Sequence, residues 1–157
     1  MDEITQALFA ASRQGNVPVL KEIFTHKSNL DVRDEKGFTP LIIAAYNSRT
    51  AAVVALLDAG AAVDGTDNGG NTALMGTSFK GDAHVVRVLI DRGAILDAQH
   101  GNGGTALMFA TMFGRNEIVS LLLDKQADSS IRDTRGYTAL ELAAQQGNSE
   151  AVVKLHA

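Results

Sequence analysis

The chain has 157 residues, 45% of them hydrophobic, a formal net charge of −4 and no cysteine. This fits one soluble cooperative array and excludes disulfides and thiolate zinc sites; its acidic balance with dispersed basic groups disfavours a polyanion binder. No apolar run approaches the ~20 residues of a membrane span, the N-terminus lacks the basic-then-apolar order of a signal peptide, and the missing thiols suit a reducing compartment, so a cytoplasmic location is expected.

Five segments are predicted in chain order: 1–33, 34–66, 67–99, 100–132 and 133–157. The first is divergent and keeps register only through Leu8, Ala11, Leu20, Ile23 and Phe24. The next four open on one recurring string: Asp34-Glu-Lys-Gly37-Phe-Thr39-Pro-Leu41, Asp67-Asn-Gly-Gly70-Asn-Thr72-Ala-Leu74, His100-Gly-Asn-Gly103-Gly-Thr105-Ala-Leu107 and Asp133-Thr-Arg-Gly136-Tyr-Thr138-Ala-Leu140. The four threonines therefore stand 33 residues apart without an insertion. Later in each segment come Val53/Leu56/Leu57, Val86/Leu89/Ile90 and Val119/Leu122/Leu123, whose i, i+3, i+4 spacing marks one face of a helix. The shortened last segment keeps Val152 and Leu155.

Each segment is expected to hold two helices. Threonine before a helical run is an N-cap, and Pro40 suits the first helical position, so the first helix of segment 34–66 begins at Thr39. Thr138-Ala-Leu-Glu141 spells a capping box. Gly60 and Gly93 end second helices, where a left-handed residue is cheap for glycine, and Gln126 in the same position is expected to lower stability. Such a unit cannot bury its apolar face alone, so neighbours stack into a solenoid in which Leu41, Leu74, Leu107 and Leu140 form one buried ladder. The end segments offer polar outer residues: Asp2, Glu3, Lys21, His26 and Lys27 at one end, and Gln145, Gln146, Asn148, Glu150 and Lys154 at the other. The last helix reaches Ala157 before any Gly-Ala signal, which leaves open a frayed C-cap or a chain cut short.

A 33-residue period with a glycine turn, Thr-Pro-Leu or Thr-Ala-Leu, and a late Leu56-Leu57-Asp-Ala-Gly60-Ala61, Leu89-Ile90-Asp-Arg-Gly93-Ala94 or Leu122-Leu123-Asp-Lys-Gln126-Ala127 resembles the ankyrin repeat. The resemblance covers essentially the whole chain. It implies an all-α repeat solenoid of helix-turn-helix units joined by β-hairpin turns. One departure is that the family's usual histidine is replaced by Ile42, Met75, Met108 and Glu141, so its bond to the threonine is lost.

The resemblance also implies partner binding at the hairpin tips and the exposed side of the first helices, lining a concave groove. Those positions are Arg13, Arg33, Glu35, Lys36, Phe38, Tyr46 and Asn47, then Asn68, Asn71, Phe79, Lys80, Gln99 and Asn102. Met112, Phe113, Arg132, Arg135, Tyr137, Gln145 and Gln146 complete them. Five of the protein's eight aromatic residues fall in this set, and aromatic and arginine side chains are the types enriched at binding hot spots. Phe38 and Tyr137 sit where the family often carries an aromatic and have turn packing as an equal explanation; Tyr46, Phe79, Met112 and Phe113 do not. Six basic residues of the set (Arg13, Arg33, Lys36, Lys80, Arg132, Arg135) oppose one acid, Glu35, while second helices and back loops hold Asp58, Asp64, Asp82, Asp91, Asp97, Glu117, Asp124, Asp128 and Glu150. With helices packed about 8–10 Å apart the groove would run about 40 Å, enough for an extended peptide or a domain face.

Other motifs dissolve into the repeat. Gly101-Asn-Gly103-Gly-Thr-Ala106 matches a dinucleotide-binding string but occupies a turn rather than following a strand, and Gly65 to Gly70 is likewise a turn. His26, His84, His100 and His156 fall in different segments, with His100 expected to take over the turn-bonding role of the aspartate it replaces. In the first helix of 67–99, Met75-Gly76-Thr77-Ser78 either makes a notch for a partner side chain or records drift. The expected function is a non-catalytic, cofactor-free, monomeric module that binds a protein or peptide with acidic and apolar residues. The alternative is an architectural or self-associating fragment, to which Val152, Val153 and Leu155 would contribute; nucleic-acid and membrane partners are not expected.

Overall fold

The computed structural model describes residues 1–156; the expected end of the last helix at Ala157 lies outside them. Among the described residues ten helices follow in order: α1 (Glu3–Gln14), α2 (Val17–Phe24), α3 (Pro40–Tyr46), α4 (Thr50–Asp58), α5 (Ala73–Lys80), α6 (Ala83–Asp91), α7 (Ala106–Met112), α8 (Asn116–Asp124), α9 (Ala139–Gln145) and α10 (Ser149–His156). They form two rows. The odd-numbered helices pack side by side from α1 to α9, the even-numbered ones from α2 to α10, and the two helices of each segment pack across the rows. This is an all-α repeat solenoid.

Capping places the first helices where the threonines predict them. The Oγ1 atoms of Thr39, Thr72, Thr105 and Thr138 accept the backbone N–H three residues on, at 3.1–3.3 Å, a bond worth about 1 kcal/mol at each start. At Thr138 the box closes, because Glu141 Oε1 accepts from the Thr138 N–H and hydroxyl. Met75 Sδ accepts weakly from the Thr72 N–H at 3.5 Å. Second helices start differently. Asn16, Asp82 and Asn148 accept from the first turn through their side chains, whereas Arg49 and Arg115 turn back and donate from Nε to the carbonyls of Arg13 and Phe79 at the end of a preceding first helix. A guanidinium there both satisfies an orphan carbonyl and opposes the helix dipole.

The connectors are turns, and no strand forms among the described residues. Each closes on one ladder bond, from the N–H of Asp34, Asp67, His100 or Asp133 to the carbonyl four residues on. The aspartates also accept N–H groups from residues two and four ahead. His100 takes that part through Nδ1, which accepts the Gly104 N–H at 2.9 Å. Adjacent tips bond directly, Gly101 N–H to Gly69 O at 2.9 Å and Thr134 N–H to Asn102 O at 3.0 Å. On the other edge, Asp31, Asp64 and Asp97 accept the N–H of Ala62, Ile95 and Asp128 from the following segment.

The core is one continuous cluster along the stack, with Leu8, Leu20, Leu56, Leu89 and Leu122 fully buried; each contributes about 1.5–3 kcal/mol of apolar burial. Leu41, Leu74 and Leu107 form the expected ladder at 1–2% exposure. Leu140 departs from it and is only half-buried, because α9 has a first-row neighbour, α7, on one side alone among the described residues. Gly60 and Gly93 take positive φ, as expected, and so does Gln126 at 70°. Left-handed backbone is costly for a residue with a Cβ but not for glycine, so Gln126→Gly is expected to raise stability by about 0.5–1 kcal/mol after the entropy of glycine in the unfolded chain is subtracted. A calorimetric melting temperature unchanged or lowered by that substitution would contradict this account.

Candidate functional site

The exposed side of the first helices carries an aromatic stripe. Tyr46 near the end of α3 stacks at 6.4 Å on Phe79 near the end of α5, and Phe79 meets Phe113, just past α7, edge-on at 4.5 Å. Tyr46 and Phe113 remain 40% and 45% exposed. Lys80 Nζ sits 4.4 Å above the Tyr46 ring, within reach of a cation–π attraction. Met112, which shares the register of Tyr46 and Phe79, packs instead against the core.

Beside the stripe lies a hollow of about 570 Å³. Six of the sequence-predicted residues, Arg13, Phe38, Tyr46, Asn47, Asn71 and Phe79, line it together. Its floor is set by Gly76, which stands in the register that Ile43, Phe109 and Leu142 occupy in α3, α7 and α9. Ile42, Ile43, Met75 and Phe109 also line it; they are not among the expected partner-binding residues, although the repeat comparison at Met75-Gly76-Thr77-Ser78 raises a notch here as one of two readings. Asp67 is the one carboxylate in the lining, and it is occupied by the N–H groups of Gly69 and Asn71 and by the Asn71 amide.

A second hollow of about 390 Å³ lies between the last two turns and brings together Met112 and Arg135 with His100, Asp133 and Leu142. The remaining predicted residues are placed apart or held in their own turns. Arg33 donates to the carbonyl and hydroxyl of Thr66. Arg132 bonds the Gly136 carbonyl and Glu141, and Arg135 pairs with Asp133 at 3.0 Å while lying over the half-buried Tyr137 ring. Asn47 donates to the Ile43 carbonyl, and Lys36 is exposed at the first tip. Hydrogen bonds from Thr138, aided by Arg132, hold the Glu141 carboxyl below its ordinary pKa. Burial alone would raise Asp133, but the N–H groups of Tyr137 and Arg135 outweigh it and leave that carboxyl lowered.

No three His, Asp or Glu side chains cluster as metal ligands would among the described residues, and no described helix is long and apolar enough to cross a membrane. A family model described as ankyrin repeats in three copies matches residues 8–100 and again 77–156. The chain belongs to the ankyrin repeat family. No curated protein matches it. Ankyrin repeats are generally non-catalytic protein-interaction modules, and specificity within such a fold lies in particular surface residues rather than in the scaffold. In this ankyrin array Gly76 stands where the neighbouring repeats carry Ile43 and Phe109.

Proposed function

We propose that this ankyrin array, as a monomer, binds a protein or peptide segment carrying apolar side chains among acidic ones, across its turn tips and first helices. The observation that carries the reading is the pairing of the Tyr46–Phe79–Phe113 stripe with cations that have no carboxylate partner: among the described residues no ion pair reaches Arg13, Lys36 or Lys80. Arginine and lysine already tied into turns, such as Arg132, contribute less, because a new partner would have to displace an existing bond. Exposed rings provide desolvation energy at an interface, and unpaired surface cations steer an anionic segment and fix its register.

Peptides selected from a random display library on the wild-type protein test the reading. The expected result is enrichment of sequences mixing Asp or Glu with aromatic or aliphatic residues, bound at least about tenfold more weakly by the Lys36→Glu, Lys80→Glu pair and increasingly weakly as salt screens the charges. Selection of neutral or basic peptides, or equal binding by the pair, would overturn it.

A further inference from the structure

We infer that the hollow at Gly76 is the seat of one aromatic side chain of the partner, with an aspartate or glutamate of that partner next to it against Lys80 and Arg13. This rests on reading the face as a protein-binding surface and says what that surface takes. Glycine is the least favourable residue after proline inside a helix, and packing does not require it at this point. A Cβ at position 76 would meet only Tyr46 Cδ2, at 3.8 Å, an ordinary contact. Ile43, Phe109 and Leu142 show that the same register accepts large apolar side chains in three other first helices. The omission therefore leaves space rather than relieving a clash.

That space is about 570 Å³, within the ~300–1000 Å³ of cavities that enclose a bound group. Its walls favour a ring. Phe79 offers a surface for offset or edge-on stacking, and Ile42, Ile43 and Phe109 add apolar wall. The charges around it favour an anion beside that ring. Asp67, the one carboxylate in the lining, already accepts three N–H donors of its own turn, while Arg13 in the lining and Lys80 above Tyr46 have no carboxylate partner among the described residues. A cationic neighbour would be repelled by both of them.

A minimal probe is 3-phenylpropionate, titrated against the isotopically labelled protein and followed through backbone amide shifts. Saturable shifts are expected at Gly76, Phe79 and Lys80, lost when Gly76→Leu fills the floor and weakened about tenfold when Phe79→Ala removes the wall; the melting temperature of each variant confirms its fold. The amine counterpart, 3-phenylpropylamine, is expected to bind more weakly than the acid. Absence of saturable shifts, identical shifts in a folded Gly76→Leu or Phe79→Ala variant, or equal binding of the amine would overturn the inference. Selected acidic peptides that bind Gly76→Leu undiminished yet fail on the Lys36→Glu, Lys80→Glu pair would overturn the seat and leave the wider surface standing. Fragment binding at Gly76 beside peptides indifferent to those reversals would do the opposite.

Discussion

Leu74→Ala is expected to lower the free energy of unfolding by about 3–4 kcal/mol, the middle of the range for truncating a fully buried leucine that leaves a cavity. Leu74 is 1% exposed on α5, the middle helix of the first row, and α5 packs against α3 on one side and α7 on the other. In a stacked array each unit touches only its neighbours, so stability is close to a sum of unit terms and nearest-neighbour interfaces. A cavity at α5 weakens two interfaces at once, and the array is expected to lose its single cooperative transition. The two tyrosines report on opposite sides of the lesion, Tyr46 before α5 and Tyr137 after it. Urea unfolding of Tyr46→Phe and Tyr137→Phe forms, each with one remaining fluorescent tyrosine, should give coincident midpoints in the parent background and separated midpoints with Leu74→Ala. Coincident midpoints together with a loss below about 1 kcal/mol would show that the core around α5 relaxes to fill the gap.

Gly103→Ala is expected to cost about 2–3 kcal/mol, from two sources that can be separated by a control. The residue has φ +80°, and a Cβ there would lie 2.9 Å from Thr134 N and 3.0 Å from Asp133 Cα. Both are backbone atoms of the next turn and cannot swing aside as a side chain tip would. The same strip of backbone carries the Thr134 N–H to Asn102 O bond at 3.0 Å, so pushing the turns apart also strains an inter-unit hydrogen bond. Gly114 has nearly the same backbone, φ +72°, with nothing within 4 Å of the point where a Cβ would stand. Gly114→Ala therefore carries the left-handed strain alone, about 1 kcal/mol. Chemical denaturation of the two variants measures the difference. Equal losses would mean that the close approach of the two turns is not needed for stability.

Much of the fold was legible in residue order because its determinants are local and repeated. Thr39, Thr72, Thr105 and Thr138 cap helices through atoms three residues away, and such a bond forms wherever the spacing occurs. Gln126 was identifiable as strained because Gly60 and Gly93 marked its position as left-handed. The role of His100 followed in the same way from the aspartates that hold its place in the other turns. Leu140 was misplaced in the buried ladder, since residue order conveys its register but not that α9 meets only α7 in the first row among the described residues.

The candidate site was legible only as a set of positions. By itself the sequence determined the repeat, the starts of the first helices, the core face and the family, because a 33-residue period imposes the same local chemistry and the same stacking on every unit. Only the tertiary structure decided which of the predicted surface residues lie together. Phe79 meets both Tyr46 and Phe113, Arg33 is tied to Thr66 one repeat on and Arg132 to its own turn, and Gly76 opens onto a hollow between Ile43 and Phe109. These outcomes depend on distances between side chains about one repeat apart, set by how neighbouring helices pack and which hydrogen bonds the turns have already used.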